Sequence, residues 1–237
     1  MTRVGAMSAA ALSLLLGAAL LGFAQQDHQS EKNKPGQRAQ PRRQALVMQQ
    51  QQRLTQYRQE LDRQQPILQQ QTVRLQQQKR TTQYRVHLQY VDRLRQQQIF
   101  LQNDRHPDYE RDPYFDTAPM YRYSRGGHDY ETNQDGAELL RQGANFGYQE
   151  GVRAGDADRR DRWPANDRES YAYQDATYGF NGYYVDRADY SYYFREGFRR
   201  GYEDGYGSRS QYGRHTYGTY GLLDAVSTQV LGFQSVR

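Results

Sequence analysis

Glycine returns at every fourth position in two separate stretches of this chain. The first stretch contains Gly143, Gly147, Gly151 and Gly155, and the second contains Gly197, Gly201 and Gly205. An α-helix turns about 100° per residue, so glycines four apart form a narrow stripe without side chains on one helix face. Because each glycine inside a helix costs about 1 kcal/mol relative to alanine, such a stripe favours helices whose backbones pack closely. The spacing therefore predicts two helices that pack on each other.

The two stretches also share a longer motif, aromatic-x-Glu-Gly-x-Arg-x-Gly-x-x-Asp. It occupies residues 148–158 and returns 46 positions later at residues 194–204. Beside the second stripe, Phe194, Phe198 and Tyr202 recur four apart, a spacing that lets neighbouring rings stack along a helix. We expect each glycine stripe to receive the aromatic side chains of the partner helix. Sequence rich in Gly and Tyr is also typical of low-complexity segments, and this alternative stays open.

The chain has 237 residues and no cysteine, which excludes disulfides, thiolate catalysis and cysteine zinc sites. It is poor in Leu, Ile and Val, whereas 22 tyrosines, against 8 phenylalanines and 1 tryptophan, supply much of the apolar surface. Only part of the chain can therefore form a core. Because tyrosine carries a polar hydroxyl, that core is expected to be amphipathic at its edges.

The first 24 residues have the pattern of a secretory signal peptide. A basic residue lies in a short head, an apolar run covers residues 9–21, and small residues precede the cleavage point. The mature chain is then expected to begin at Gln25 and to be exported, either periplasmic or secreted. An uncleaved membrane anchor is the alternative. Residues 25–43 are polar and contain two prolines, which predicts a disordered leader.

Residues 44–102 form an arm rich in Gln and Arg with a heptad pattern. The first seam position holds Val47, Leu54, Leu61, Leu68 and Leu75, and the companion position holds Gln50, Tyr57, Gln64, Gln71 and Gln78. With one apolar position per repeat, the arm predicts long helices that form a weak, polar coiled coil. Pro66 is expected to end or kink the helix, or to begin a second one. Residues 84–101 are expected to be helical, although their alternation also fits a short strand.

Charge divides the chain into two halves. Residues 25–102 contain 14 basic and 5 acidic residues, and residues 103–237 contain 17 basic and 22 acidic residues. The basic half favours contact with a polyanion, and outside the cytoplasm lipid head groups and envelope polymers are more available than nucleic acid. The candidate polyanion-binding residues are Arg42, Arg43, Arg53, Arg58, Lys79 and Arg80, with Arg63, Arg74 and Arg85 beside them. The competing interpretation is a solvated charged face.

The second half predicts a small three-helix module at residues 137–206. The two glycine helices are the outer pair; a cap is expected at Asp135 for the first, and the second is expected to start at Asp186. A shorter helix lies between them, with a cap expected at Asp167 and its end at Gly179 and Gly182. The predicted fold class is therefore mainly α, with long Gln- and Arg-rich helices followed by two matched glycine helices.

Irregular segments are expected on both sides of this module. Residues 103–136 contain three prolines and a Gly-Gly pair, and they predict a linker. Residues 207–221 are expected to be a disordered tail. Residues 222–237 form a short apolar segment that is expected to dock back as a helix.

Several short motifs follow one another between residues 137 and 206. Tyr-x-Glu-Gly-x-Arg-x-Gly is followed by Trp163-Pro164, by Tyr-x-x-Ala-x-x-Gly-Phe at residues 173–180, and by Phe-Arg-Glu-Gly-Phe-x-x-Gly-Tyr-x-x-Gly-Tyr at residues 194–206. Together they resemble a group of uncharacterised secreted bacterial proteins with a paired Gly-x-x-x-Gly, tyrosine-rich helical module. The resemblance implies a signal peptide and a small helical module, and it implies no particular activity. The basic arm lies outside it.

Only a few acidic residues have a spacing that could form a cation-binding or catalytic site. Asp156, Asp158 and Asp161 could bind a cation such as Ca²⁺, but the arginines between them favour ion pairing at a helix end. Glu150 and Glu196 occupy equivalent motif positions, each with an arginine nearby, which favours structural salt links over acid–base catalysis. The five histidines have no metal-ligand spacing. The sequence therefore predicts no catalytic residue, no metal site and no cofactor.

Two functions are consistent with these patterns. The first is a non-enzymatic structural or interaction protein of the envelope, whose helices associate with a second copy or with another envelope protein. The alternative is a binding module for an anionic polymer or a lipid surface, with the basic arm as the binding element. In the first hypothesis the Gln- and Arg-rich helices associate with the partner while the glycine-helix module is a compact docking domain; in the second the basic residues of the arm bind the polymer.

Overall fold

The computed structural model describes residues 35–103, 117–216 and 219–236. The predicted signal peptide, most of the predicted leader and residues 104–116 of the predicted linker lie outside the described residues. The described chain is mainly helical, with six α-helices and a small strand component. The predicted fold class is confirmed at this level.

The basic arm folds into two long helices. Helix α1 spans Pro35–Gln77 and helix α2 spans Thr81–Asn103. Lys79 reverses the chain between them in a left-handed conformation with φ of 56°. Residues 35–43 belong to α1, so the expectation of disorder is wrong for this part of the leader.

The two helices form an antiparallel hairpin. Near the turn, Thr72 Oγ1 and His87 Nε2 lie 2.9 Å apart, and further along Gln97 Nε2 donates to Tyr57 OH at 3.0 Å. Residue numbers thus rise on one helix as they fall on the other. The prediction of a helix at residues 84–101 is confirmed.

Pro66 lies inside α1 and does not end it. A proline in a helix lacks the N–H that would bond the carbonyl four residues earlier, here that of Asp62. Both Pro66 and Asp62 are exposed, so water can satisfy this carbonyl. The expectation that Pro66 separates two helices is wrong, because the chain turns back only after Gln77.

The apolar seam of α1 is buried against the second half of the same chain. The buried seam leucines are Leu54, Leu61 and Leu75. Tyr57, at a companion position, meets the ring of Phe180 edge-on at 5.4 Å. Another companion residue, Gln71, donates from Nε2 to the carbonyl oxygen of Glu169 at 2.6 Å. This polar companion residue therefore satisfies a backbone group in the second half of the chain.

Two long helices form the centre of the fold. Helix α3 spans Gln134–Arg160 and helix α5 spans Arg187–Gly207. A 3-10 turn at Asp167–Glu169 and helix α4, Tyr171–Asp175, connect them. The large side chains buried around this centre are Tyr90, Leu140, Tyr148, Phe180, Tyr190, Tyr193, Phe194 and Phe198. The core thus joins the arm to the module.

The N-terminal cap of α3 lies just before the position expected from the sequence. Asn133 accepts a hydrogen bond from the backbone N–H of Gly136 at 2.9 Å, whereas Asp135 lies in the first turn. A carboxylate there remains favourable because the first helical turn carries positive partial charge. Helix α5 starts after Asp186, as predicted, although the Asp186 side chain makes no capping hydrogen bond. The expected cap at Asp167 is wrong, because Asp167 lies inside the 3-10 turn and Asn166 precedes it.

A three-stranded sheet replaces the second half of the predicted linker. Strand β1, Tyr121–Arg125, pairs antiparallel with β2, His128–Thr132, and with β5, Gln234–Ser235. Gly126 and Gly127 form the turn with φ of 60° and 81°, which glycine adopts without strain. The expectation of an irregular linker is therefore wrong for residues 121–132.

The predicted disordered tail also contains regular structure. Strands β3, Gly213–Thr216, and β4, Thr219–Leu222, form a second antiparallel pair. Helix α6, Asp224–Leu231, follows and buries Leu231 against the core. The expected docking of the last segment as a short helix agrees with this placement. The expectation of disorder at residues 207–221 is wrong over these strands.

Candidate functional site

The glycine stripes of α3 and α5 face each other. A Cβ atom added to Gly147 would lie 1.9 Å from the carbonyl oxygen of Phe194. One added to Gly197 would lie 1.8 Å from the carbonyl oxygen of Ala144. Non-bonded atoms do not approach to these distances, so glycine is required where the two backbones meet. Such an approach brings Cα–H groups against carbonyl oxygens across the interface.

The contacts also define the direction and register of the two helices. Gly147, Gly151 and Gly155 meet the backbone of Phe194, Phe198 and Tyr202 in that order, so α3 and α5 run parallel. Reciprocally, Gly197, Gly201 and Gly205 meet the backbone of Ala144, Tyr148 and Val152. In this packing Gly147 of α3 takes the place that Gly197 takes in α5, which is an offset of 50 positions. The sequence motif, in contrast, repeats after 46 positions. A ladder with a four-residue period fits at either offset, so other contacts must select the register.

The aromatic residues of α5 pack into the core beside the stripes. Phe194 and Phe198 are fully buried, and Tyr202 is 5% exposed. Among the seven glycines, a ring faces the stripe at Gly143, where an added Cβ would lie 2.9 Å from Tyr190 Cε2. Elsewhere the partner's backbone occupies the stripe. The expectation that rings fill it is therefore wrong for most of its length.

Two tyrosine hydroxyls bind carboxylates near the C-terminal ends of α3 and α5. Tyr148 OH donates to Asp204 Oδ2 at 2.8 Å, and Tyr202 OH donates to Asp158 Oδ2 at 2.7 Å. Both carboxylates are nearly fully buried. Sliding α5 by one turn would move each pair apart by about 5 Å. These bonds therefore select the register that the glycines leave open.

Arg80, in the turn between α1 and α2, reaches the same end of α3. It is 3% exposed, forms an ion pair with Asp158, and places Nη1 3.2 Å from Glu169 Oε2. Its guanidinium lies over the ring of Trp163, 4.5 Å from the centroid. We call Arg80, Asp158, Glu169, Trp163 and Tyr202 the arm–module junction. Burial raises the pKa of Asp158, although the bonds from Tyr202 and Arg80 oppose this shift.

The other two aspartates of the predicted cation cluster have separate structural roles. Asp161 caps α2 across the junction, because its carboxylate accepts from the backbone N–H of Thr82 at 3.0 Å and of Gln83 at 2.8 Å. Asp156 forms ion pairs along α3 with Arg159 and Arg160. Within the described ranges, no group of three or more acidic or histidine side chains is placed to hold a metal ion.

Glu150 and Glu196 both form ion pairs but in different surroundings. Glu150 is 1% exposed and lies 2.5 Å from Arg93 of α2 and 2.5 Å from Arg153. Burial raises its pKa, and the two arginines oppose the shift. Glu196 is paired with two arginines of its own helix. The sequence therefore indicated the salt links, but it did not indicate that one of them joins α2 to α3.

Two further buried carboxylates bind tyrosine hydroxyls. Tyr90 OH donates to Asp175 Oδ2 at 2.5 Å, and Tyr123 OH donates to Asp189 Oδ2 at 2.9 Å. Burial is the main cause of a raised pKa in both carboxyl groups and both phenols. Tyrosine thus fills the core here while its hydroxyl is satisfied by a carboxylate.

His87 is a buried neutral histidine between α1 and the module. Thr72 Oγ1 lies 2.7 Å from the carbonyl oxygen of Leu68 and 2.9 Å from His87 Nε2. Because the hydroxyl has one hydrogen, which it donates to Leu68, we assign the proton of His87 to Nε2. Burial lowers the pKa of His87 from 6.5 to about 4.

This shift predicts a pH dependence of stability. The pKa is lowered in the folded state, so unfolded His87 binds a proton that folded His87 does not. Stability from this group is complete above pH 6.5 and is lost as the pH falls towards 4, by about 3 kcal/mol in the free energy of unfolding. We expect His87→Phe, which leaves the Thr72–Leu68 bond intact, to remove this loss.

Urea unfolding of both proteins at pH 7 and pH 4 measures the effect. The buried carboxyl groups have raised pKa values in the folded state, so they increase the free energy of unfolding as the pH falls. This contribution is the same in wild type and in His87→Phe. The quantity to compare is therefore the difference between wild type and His87→Phe. A difference that is the same at both pH values would contradict the assignment.

The structure divides the predicted polyanion-binding residues into two groups. Arg80 is buried in the junction, and Arg53 forms an ion pair with Asp186 at 2.5 Å, so neither is available to an external polyanion. Arg58 and Lys79 are exposed. Arg43 is half-buried; the side chain of Arg42 lies outside the described residues. Of the neighbouring arginines, Arg63 and Arg85 are exposed, and Arg74 faces Glu169 at 3.5 Å.

The α1–α2 hairpin also carries exposed apolar side chains near open grooves. Phe100 is 66% exposed and Ile99 is 57% exposed at the end of α2. A groove of about 350 Å³ lies beside Phe100 and is lined also by Phe146 and Tyr178. A second groove of about 230 Å³ lies between α1 and α2. No helix in the described segments is long and apolar enough to cross a bilayer.

Comparison of the chain with models of known protein families, with curated proteins and with solved structures finds no match. The arguments about function therefore depend on the chemistry of the chain itself. Three features are used for this: the packing of α3 on α5, the arm–module junction, and the exposed surface of the hairpin.

Proposed function

We propose that this chain is a non-enzymatic structural or interaction protein of the cell envelope, which binds a partner protein through the outer surface of the α1–α2 hairpin. The observation that carries the proposal is the distribution of exposed apolar side chains. Six of the seven large hydrophobic residues that are exposed in the described chain lie on this hairpin: Met48, Ile67, Val73, Leu88, Ile99 and Phe100. Exposed apolar surface of this kind is typical of protein interaction sites.

The use of charged side chains supports the same proposal. Arg80, Arg93 and Arg53 each join the arm to an acidic residue of the second half. Glu150 and Asp158, the most buried acidic residues of α3, are partners in these pairs. These groups hold the arm on the module, which makes the hairpin a fixed surface for a partner.

The glycine and heptad patterns serve internal assembly in this proposal. The stripes let α3 and α5 pack closely, and the α1 seam covers the module. The surface left for association is then the opposite side of the hairpin, where α2 presents Leu88, Asp92 and Ile99 at helical spacing. A partner that binds this surface would contact exposed side chains of the hairpin helices and not the heptad leucines of α1, which are used inside the chain.

The alternative function is binding of an anionic envelope polymer or lipid surface. Arg58, Lys79, Arg85 and Arg95 are exposed and form no ion pair with any residue in the described ranges. These four residues are a smaller basic set than the arm sequence suggests. Binding through them would weaken steeply with salt.

Site-specific photocrosslinking in the native envelope tests the proposal in the full chain. We expect a photoreactive residue at position 92 to link one envelope protein or a second copy, and one at the exposed Ser210 to give no such product. Leu88→Ser/Ile99→Ser/Phe100→Ser should abolish the product. The control, Arg58→Gln/Lys79→Gln/Arg85→Gln/Arg95→Gln, should retain it.

The reverse result would contradict the proposal and favour the alternative. If the charge variant lost its product and its retention on the envelope while the apolar variant kept both, the basic residues would be the binding element. Export is tested separately by N-terminal sequencing of the mature chain, which is expected to begin at Gln25. A chain that retains Met1 in the cytoplasm would exclude an envelope function.

A further inference from the structure

A small cavity lies where the arm meets the module, among α1, α2, α3 and the start of α4. Its volume is about 10 Å³. Its polar lining includes Gln83 and His87 of α2, Glu150 of α3, Ser170 and Tyr171. This volume is about the minimum that a cavity needs to hold one water molecule. It is too small for any larger ligand.

Gln83, one of the residues that line this cavity, has an unpaired side-chain acceptor. Its side chain is 3% exposed, and its Oε1 accepts no hydrogen bond from any residue that the structure describes. The backbone N–H of Gln83 is already bound to Asp161 and cannot serve this oxygen. A buried amide oxygen without a donor is costly, and native proteins satisfy such groups with protein donors or ordered water.

We infer that the cavity holds one ordered water molecule, which donates a hydrogen bond to Gln83 Oε1. Its other partners come from the polar lining. Glu150 is a carboxylate whose two oxygens each accept one bond from an arginine and retain further acceptor capacity. The Ser170 hydroxyl can donate to the water. Three partners match the usual number for a buried water.

The polar lining distinguishes this cavity from an empty apolar one. Apolar cavities of protein cores stay dry because water inside them would lose its hydrogen bonds. Here an acceptor on α2, a carboxylate on α3 and a hydroxyl before α4 surround the space. The water therefore joins three elements that come from both halves of the chain.

Oxygen-17 magnetic relaxation dispersion on the full chain tests the inference, because it counts water molecules with long residence times. We expect wild type to hold one more long-lived water than Gln83→Met, in which the acceptor is lost. Gln89→Met changes an exposed glutamine of the same helix and should keep the wild-type count. Circular dichroism confirms that the variants fold. Equal counts in wild type and Gln83→Met would overturn the inference.

A crystal structure of the wild-type chain gives a second test that needs no variant. We expect a water peak about 2.7–3.2 Å from Gln83 Oε1. A protein donor at that distance, with no water in the cavity, would also overturn the inference.

Discussion

Replacing Gly151 and Gly201 together by leucine is expected to abolish the cooperative thermal transition of the protein. An added Cβ at Gly151 would lie 2.1 Å from Phe198 O, and one at Gly201 would lie 2.0 Å from Tyr148 O. The obstacle in both cases is backbone, which cannot rotate away. A folded domain has a net stability of only about 5–15 kcal/mol, so separating α3 from α5 and exposing the core around them would be enough to unfold it. Circular dichroism during heating should show a broad, non-cooperative change.

Single alanine substitutions separate the packing effect from helix propensity. Alanine favours a helix by about 1 kcal/mol over glycine, so Gly207→Ala should be neutral or stabilising. There the new Cβ meets the flexible side chain of Arg209, at 3.2 Å. Gly201→Ala should instead lower the free energy of unfolding by about 1–3 kcal/mol or more, because of overpacking. If both variants melted alike, close backbone packing would not explain the glycine spacing.

The second large effect is expected at the arm–module junction. Arg80→Met should lower the free energy of unfolding by about 3–5 kcal/mol, because it leaves the buried carboxylate of Asp158 without its cation. Methionine keeps the length and apolar stem of the side chain, so the loss of charge dominates. Urea unfolding at pH 7 measures the effect.

Arg74 provides a matched control for this substitution. It faces Glu169 at 3.5 Å from the same arm, but its side chain is 49% exposed. Exposed pairs of this kind contribute about 1 kcal/mol or less, so Arg74→Met should have a small effect. In Arg80→Met/Asp158→Asn no unpaired charge remains, and the double variant should lose less than the two single losses combined. An Arg80→Met protein as stable as Arg74→Met would refute the structural role of the junction.

Local sequence patterns were sufficient to predict the main helices. The stripes at Gly147 and Gly197 depend on a helical period, and helices α3 and α5 begin within a residue of Asp135 and Asp186, as expected. The exact register was not predictable, because a four-residue repeat is compatible with several offsets. The bonds of Tyr148 and Tyr202 to aspartates of the two helices select one of them, and such pairs have no local signature.

The strands were missed although one signal was present. Gly126-Gly127 follows a stretch in which Tyr121 and Tyr123 alternate with polar residues and precedes one that contains Tyr130 and Thr132, and a Gly-Gly pair between such stretches is typical of a β-hairpin. The prolines nearby favoured the interpretation as a linker. The third strand, Gln234–Ser235, is only two residues long and carries no signal of its own. It pairs with β1 because the C-terminal segment docks beside it.

Long-range pairing explains why the arm was misinterpreted. The heptad leucines indicated a buried face correctly, but the sequence does not specify which surface covers it. Arg80 and Asp158 are 78 positions apart, so nothing local shows that this arginine is buried. The acidic excess of the second half was a weak indication that the basic arm could find its counter-charges within the chain.

The parallel arrangement of α3 and α5 has an electrostatic consequence. Parallel helices add their macrodipoles, so the negative C-terminal ends of both lie side by side. Asp158 and Asp204 place buried carboxylates near these ends, which makes the local potential more negative. The last turn of α5 has no basic residue, whereas α3 has Arg159 and Arg160. By inserting a guanidinium at the end of α3, the basic arm neutralises part of the field that its neighbours create.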